Sequence, residues 1–123
     1  MSPQEADSAA AETVALEWLR MLSMEERLIS PEMVRAAHAH PRLRVLSPTV
    51  SHGSLQLSRC TRSPWTRDVP ALFRRSGGGY TIVHFGHGGI IGEPDTIEEA
   101  IDLIVANLQP GYGPAVDGTA DDL

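Results

Sequence analysis

The hydrophobic period of this chain switches twice, from helical to alternating at Pro41 and back to helical at Thr96. Before Pro41, apolar residues recur at Ala10, Val14, Trp18 and Met21/Leu22, while Glu12, Glu17 and Arg20 fall off that stripe. This spacing predicts a first helix over residues 9–22. A second helix has start signals of its own. Ser30 stands at the N-cap position, Pro31 at the first helical position, and Ile29 and Val34 can pack as a hydrophobic staple. Glu32 in the first turn suits the helix dipole. The helix must end near His40, because a residue before proline is pushed out of the helical region.

After Pro41 the pattern reads as strands. Residues 43–46 predict a short strand ending at Pro48. In residues 54–60, Leu55 and Leu57 alternate with Gln56, Ser58 and Cys60, and Ser51-His52-Gly53 forms the turn before them. Residues 61–68 read as a loop and 69–74 as a third strand. Gly77-Gly78-Gly79 turns the chain into a fourth strand over 80–85, and 89–92 is a candidate fifth. At Thr96 a capping box with Glu99 starts the last helix. Its apolar face is Ile97, Ala100, Ile101, Ile104, Val105 and Leu108, and Pro110-Gly111 ends it. Consecutive strands with short turns favour an antiparallel meander with helices on one face. The expected fold is therefore α+β, with two N-terminal helices, an antiparallel sheet of four to five strands, one C-terminal amphipathic helix and an irregular tail. Residues 1–8 are expected to be disordered, 9–110 to form a single domain, and 111–123 to be an irregular tail able to dock. A sheet covered on one side leaves its other face for a ligand, a partner or a second copy in a homodimer.

Charge is distributed unevenly. Residues 1–34 carry seven acids and two arginines, 35–75 carry eight arginines and only Asp68, and 76–123 carry eight acids and no basic residue. All ten basic residues are arginine, whose planar fork suits carboxylate and phosphate, although a GC-rich genome would give the same bias. The net charge of −6 and the acidic last third argue against nucleic acid as partner. They leave an anionic small molecule or a protein surface.

No apolar run reaches the roughly 18–20 residues of a membrane span, so no membrane association is expected. The first residues bear acids where a secretory signal needs positive charge. A lone Cys60 fits a reducing cytoplasm and excludes a cysteine-rich zinc site. The His84/His87 pair straddles a strand end at a spacing that suits neither a strand nor a helix site, and the glycines at 86–89 lack the Lys-Ser/Thr of a phosphate loop. No cofactor or metal is expected.

Two constellations stand out as candidate sites. Arg59, Arg62 and Arg67 surround Trp65, an arrangement that can hold an anion and stack a ring, unless Trp65 folds back on the core. Cys60 between Arg59 and Arg62 is a candidate nucleophile with His52 as base, provided the strand register brings them together. The competing reading makes Cys60 a small buried hydrophobe.

The stretch SHGSLQLSRCTRSPWTRDVP at 51–70 and the ending GPAVDGTADDL resemble a small family of uncharacterised actinobacterial proteins, chiefly from Streptomyces and relatives, labelled natural product biosynthesis proteins. The likeness runs from about Trp18 to the C-terminus. It implies a bacterial cytoplasmic protein near specialised-metabolite genes, and it brings no catalytic residues with it. Three functional classes follow as expectations. The first is an accessory or ligand-binding protein that takes an anionic small molecule or protein partner on an arginine-rich surface. The second is a small enzyme of the residue 51–65 hairpin with His52, Cys60 and an arginine clamp. The third is an adaptor or immunity-like interaction module.

Overall fold

Helix α1 spans Pro3–Leu22 and buries Ala10, Val14, Trp18 and Met21, the stripe at helical spacing. A computed structural model describes residues 3–66, 68–87 and 89–123, with side chains for all of these except residues 3–8 and His87. The helix begins ahead of its apolar stripe, through a segment whose Glu5 and Ala6 have favourable helix propensity. The Trp18 indole Nε1 donates to the Leu46 carbonyl at 3.1 Å, so the largest core side chain has its one polar atom satisfied.

Helix α2, Pro31–Ala39, starts and stops at its prolines. Pro31 sits in the first turn, and Ile29 and Val34 are both buried in the core. The Ser30 hydroxyl makes no capping bond; instead its carbonyl accepts from Val34 N at 3.3 Å. A proline in the first turn already removes one orphan donor there. His40 is extended (φ −86°, ψ 124°), as its place before Pro41 requires.

Five strands follow: β1 Ser47–Ser51, β2 Ser54–Ser58, β3 Ala71–Arg74, β4 Tyr80–His84 and β5 Gly89–Gly92. They form one antiparallel meander in the order β1-β2-β3-β4-β5. The first strand lies later than its sequence pattern suggests. Residues 43–46 are a turn in which Leu43 and Leu46, three apart, both reach the core, with Leu46 N bonded to Leu43 O at 3.0 Å. Pro48 lies inside β1 rather than ending it, a position open to proline because β1 is an edge strand. Between β1 and β2, His52 (φ 51°) and Gly53 (φ 79°) form a two-residue turn with both residues left-handed, the geometry that fits the twist of a hairpin.

Helix α3, Ile97–Ala106, is capped by Thr96 Oγ1 accepting from Glu99 N at 3.2 Å. It buries Ile97, Ala100, Ile101 and Ile104. It lies so close to β5 that a Cβ at Gly92 would collide with Leu103. The three helices pack on one side of the sheet, through α1 on β1, α3 on β4 and α2 between the other two helices. Leu55, Leu57, Leu72 and Ile82 meet them from the sheet. Each such buried aliphatic side chain contributes ~1.5–3 kcal/mol of transfer free energy. No helix among the described residues is long and apolar enough to cross a membrane.

Candidate binding surface

Strand alternation leaves a second sheet face. Opposite the core residues of β2 stand Ser54, Gln56 and Ser58; opposite Leu72 stand Ala71 and Phe73; opposite Tyr80 and Ile82 stand Thr81 and Val83. The register pairs Ala71 with Val83 and Val83 with Ile90, which carries an apolar row across to β5. Ile90 is 62% exposed and Val83 half-buried, whereas Ala71 is buried. No described helix packs on this side.

One end of the face is bounded by the loop between β2 and β3, which the Ser58 hydroxyl organises. Ser58 is buried at the end of β2, and its Oγ accepts from Cys60 N at 3.2 Å and Thr66 N at 3.1 Å. Thr66 Oγ1 lies 3.1 Å from Ser58 Oγ and accepts from Arg59 N at 2.9 Å. Two hydroxyls thus hold both ends of the loop, satisfying backbone donors that no strand reaches. Between them Trp65 is 38% exposed and lines a notch of about 30 Å³ with Thr49, Gln56, Ala71 and Phe85. Trp65 therefore stands at the rim of the open sheet face.

The C-terminal tail fixes the other side of the loop. Val116 bridges Cys60 in parallel, with Thr61 N bonded to Val116 O at 3.1 Å and Val116 N to Arg59 O at 2.9 Å. Arg62 N reaches Gly118 O at 2.7 Å, and Ala120 N reaches Pro64 O at 2.8 Å. Thr61 Oγ1 donates to Asp117 Oδ1 at 2.9 Å and accepts from Gly118 N at 3.0 Å. The tail itself is tied to the segment before β1 by Ala115 N on Val45 O at 2.9 Å.

The residues singled out by sequence now separate. Arg59 faces inward: its Nε donates to Asp68 Oδ2 at 2.8 Å, and its guanidinium carbon lies 4.2 Å from the Tyr112 ring centroid. The hydrogen bond to Asp68 raises its pKa further, against the opposing effect of burial. This arginine is a strut between loop and tail, and its fork is already occupied by Asp68. Arg62 is exposed and makes no ion pair among the described residues. Arg67 lies outside the described residues. Cys60 is fully buried, with Sγ 3.2 Å from Ser58 Oγ and donating weakly to the Arg62 and Pro64 carbonyls at 3.5 Å.

The expected pairing of His52 with Cys60 is not formed. His52 caps one end of the β1–β2 hairpin and Cys60 follows the other, so the five residues of β2 lie between them. At a strand's rise that alone separates the positions by ~13 Å, beyond hydrogen-bond reach. His52 instead lines an exposed cleft with Arg74 and Ser30.

Internal neutralisation accounts for part of the basic block. Asp68 answers Arg59 from within it, and Glu93 and Asp95 from the turn before α3 answer Arg75 at 3.5 and 3.2 Å. Arg35, Arg42, Arg44, Arg62 and Arg74 are exposed and make no ion pair among the described residues. Sequence reasoning missed the roles of Ser58 and Thr66, whose bonds to Cys60 N, Arg59 N and each other form only once the loop has closed.

A one-sided α+β meander with a tail-braced loop at the rim of its open face defines the architecture. The chain belongs to a family of unknown function (DUF6193), whose family model matches residues 12–119. No curated protein and no solved structure matches it.

Proposed function

We propose that this protein is an accessory binding module that holds a protein partner on the open face of its sheet. The observation that carries this reading is the exposed Ile90 and half-buried Val83, which continue through the buried Ala71 to a notch lined by the exposed rings of Trp65 and Phe85. Isolated surface hydrophobics are ordinary, whereas a contiguous patch with an aromatic at its rim is characteristic of binding surfaces. The loop that carries Trp65 is anchored at Ser58, Thr66 and the tail, so little order has to be gained on binding. Arg62, three residues from Trp65 and exposed, favours a partner with an acidic flank and a salt-sensitive association. The resemblance carried by residues 51–70 and the C-terminal ending supports a cytoplasmic setting in bacterial specialised metabolism.

The test is affinity capture from the native host with tagged wild type, Trp65→Ala, Ile90→Asp and a control on the exposed face of α1, Leu16→Asp. The reading expects one protein retained by wild type and Leu16→Asp and lost from both sheet-face variants, each folded by circular dichroism. Equal retention by all four proteins would overturn it.

A further inference from the structure

On the helical side of the molecule, a pocket of about 270 Å³ opens between α1, the turn before β1 and the docked tail. It exists because α1 places alanines at positions 11 and 15 beside Val14 and Trp18, where larger side chains would fill the space. The Trp18 wall is fixed by its bond to the Leu46 carbonyl and by His38, whose ring centroid lies 5.3 Å away at an interplanar angle of 54°. The opposite wall, Pro114 and Ala115, is held by Ala115 N on Val45 O at 2.9 Å. The cavity is therefore preformed. Its volume lies just under the ~300–1,000 Å³ range of typical ligand pockets.

The charge around it has one sign. Arg44 and His38 are the only ionisable side chains of the lining, and no carboxylate joins them. Arg44 is exposed and makes no ion pair among the described residues, so its fork is free to meet an incoming anion. An apolar body with a single planar anion complements such a lining; a guanidinium pairs with a carboxylate through two parallel hydrogen bonds. A phosphate monoester would bring about two charges to a mostly apolar pocket with one arginine, a poorer match.

We propose that this pocket binds a small apolar monocarboxylic acid, with the ring or short acyl chain between α1 and the tail and the carboxylate on Arg44. This site is separate from the open sheet face and does not depend on the reading of that face.

The probes are benzoate and hexanoate, with benzamide and hexanamide as neutral isosteres, titrated by calorimetry into the full chain up to tens of millimolar. At least one acid should bind saturably, with its amide weaker by about tenfold or more, since a charge-assisted bond is lost. Arg44→Gln should weaken the acid by about ten- to a hundredfold without affecting the amide. Ala15→Phe, which fills the space from an exposed helical position, should abolish binding of both. No saturable binding by wild type, equal binding of acid and amide, or an unchanged acid affinity in folded Arg44→Gln would each overturn the assignment.

Discussion

The guanidinium of Arg59 lies over the ring of Tyr112, 4.2 Å from its centroid, while the same side chain pairs with Asp68. Tyr112 OH in turn donates to the Asp68 carbonyl at 3.4 Å. A residue that sequence marks as a ligand clamp thus joins the β2–β3 loop to the tail. Arg59→Gln should destabilise the protein by ~1–2 kcal/mol, the combined range of a partly exposed ion pair and a cation–π contact. Urea unfolding of Arg59→Gln and Tyr112→Leu checks this, and a double-mutant cycle should show coupling between them.

The same pair predicts an acid limb in the stability profile. Burial of Asp68 opposes its ionisation, but hydrogen bonds from Arg59 and Thr66 and the Arg59 charge prevail together and hold its pKa below the ordinary aspartate value. A depressed folded pKa gives stability that is present above the unfolded value and lost as pH falls through the folded one. Wild type should therefore lose this contribution as pH falls below about 4. Asp68→Asn should be less stable at neutral pH and lose less on acidification, as read from thermal midpoints between pH 2 and 7.

Tyr80 makes the complementary prediction at high pH. Burial, and then its hydrogen bond to Glu32 at 2.7 Å, push its pKa up to about 12. A raised folded pKa gives stability that is complete below the unfolded value near 10 and lost as pH climbs through the folded one. Absorbance at 295 nm should show Tyr80 ionising well above an ordinary tyrosine, and Tyr80→Phe should remove that late step at a cost of ~1 kcal/mol at neutral pH.

Cys60 should behave as a reporter of tail docking. Its thiol is fully buried where Val116 bridges the loop. A thiol reagent should label it in native protein only through opening of the structure, at a rate far below that in denaturant. Deleting residues 115–123 removes the bonds to Arg59, Thr61, Arg62 and Pro64, and should both lower the melting temperature and expose the thiol. Continued protection in the truncated chain would contradict the tail's bracing role.

Helices were readable from sequence because their signals are local. Pro31 and Pro41 bound α2, and Thr96 caps α3 within one turn. Strand β1 lies later than the sequence pattern suggests because Leu43 and Leu46 are apolar for the sake of a helical-type turn and Pro48 is tolerated at an edge. The basic loop is legible in the sequence, but the state of its arginines is not. Whether Arg59 faces ligand or tail depends on Tyr112 and Asp68, and the tail's own anchor joins Thr61 to Asp117, 56 residues apart. Hairpin register likewise decides that His52 and Cys60 sit at opposite ends of β2, which residue types alone do not encode.

The central claim, that the open sheet face is the contact surface, is tested most directly by site-specific photo-crosslinking in the native host. A photoreactive residue is placed in turn at Trp65, at Ile90 and, on the exposed face of α1, at Leu19. The account predicts one discrete crosslinked partner from positions 65 and 90, abolished from 65 by Ile90→Asp, and no such product from 19. A partner captured from position 19 and from neither sheet-face position would contradict it.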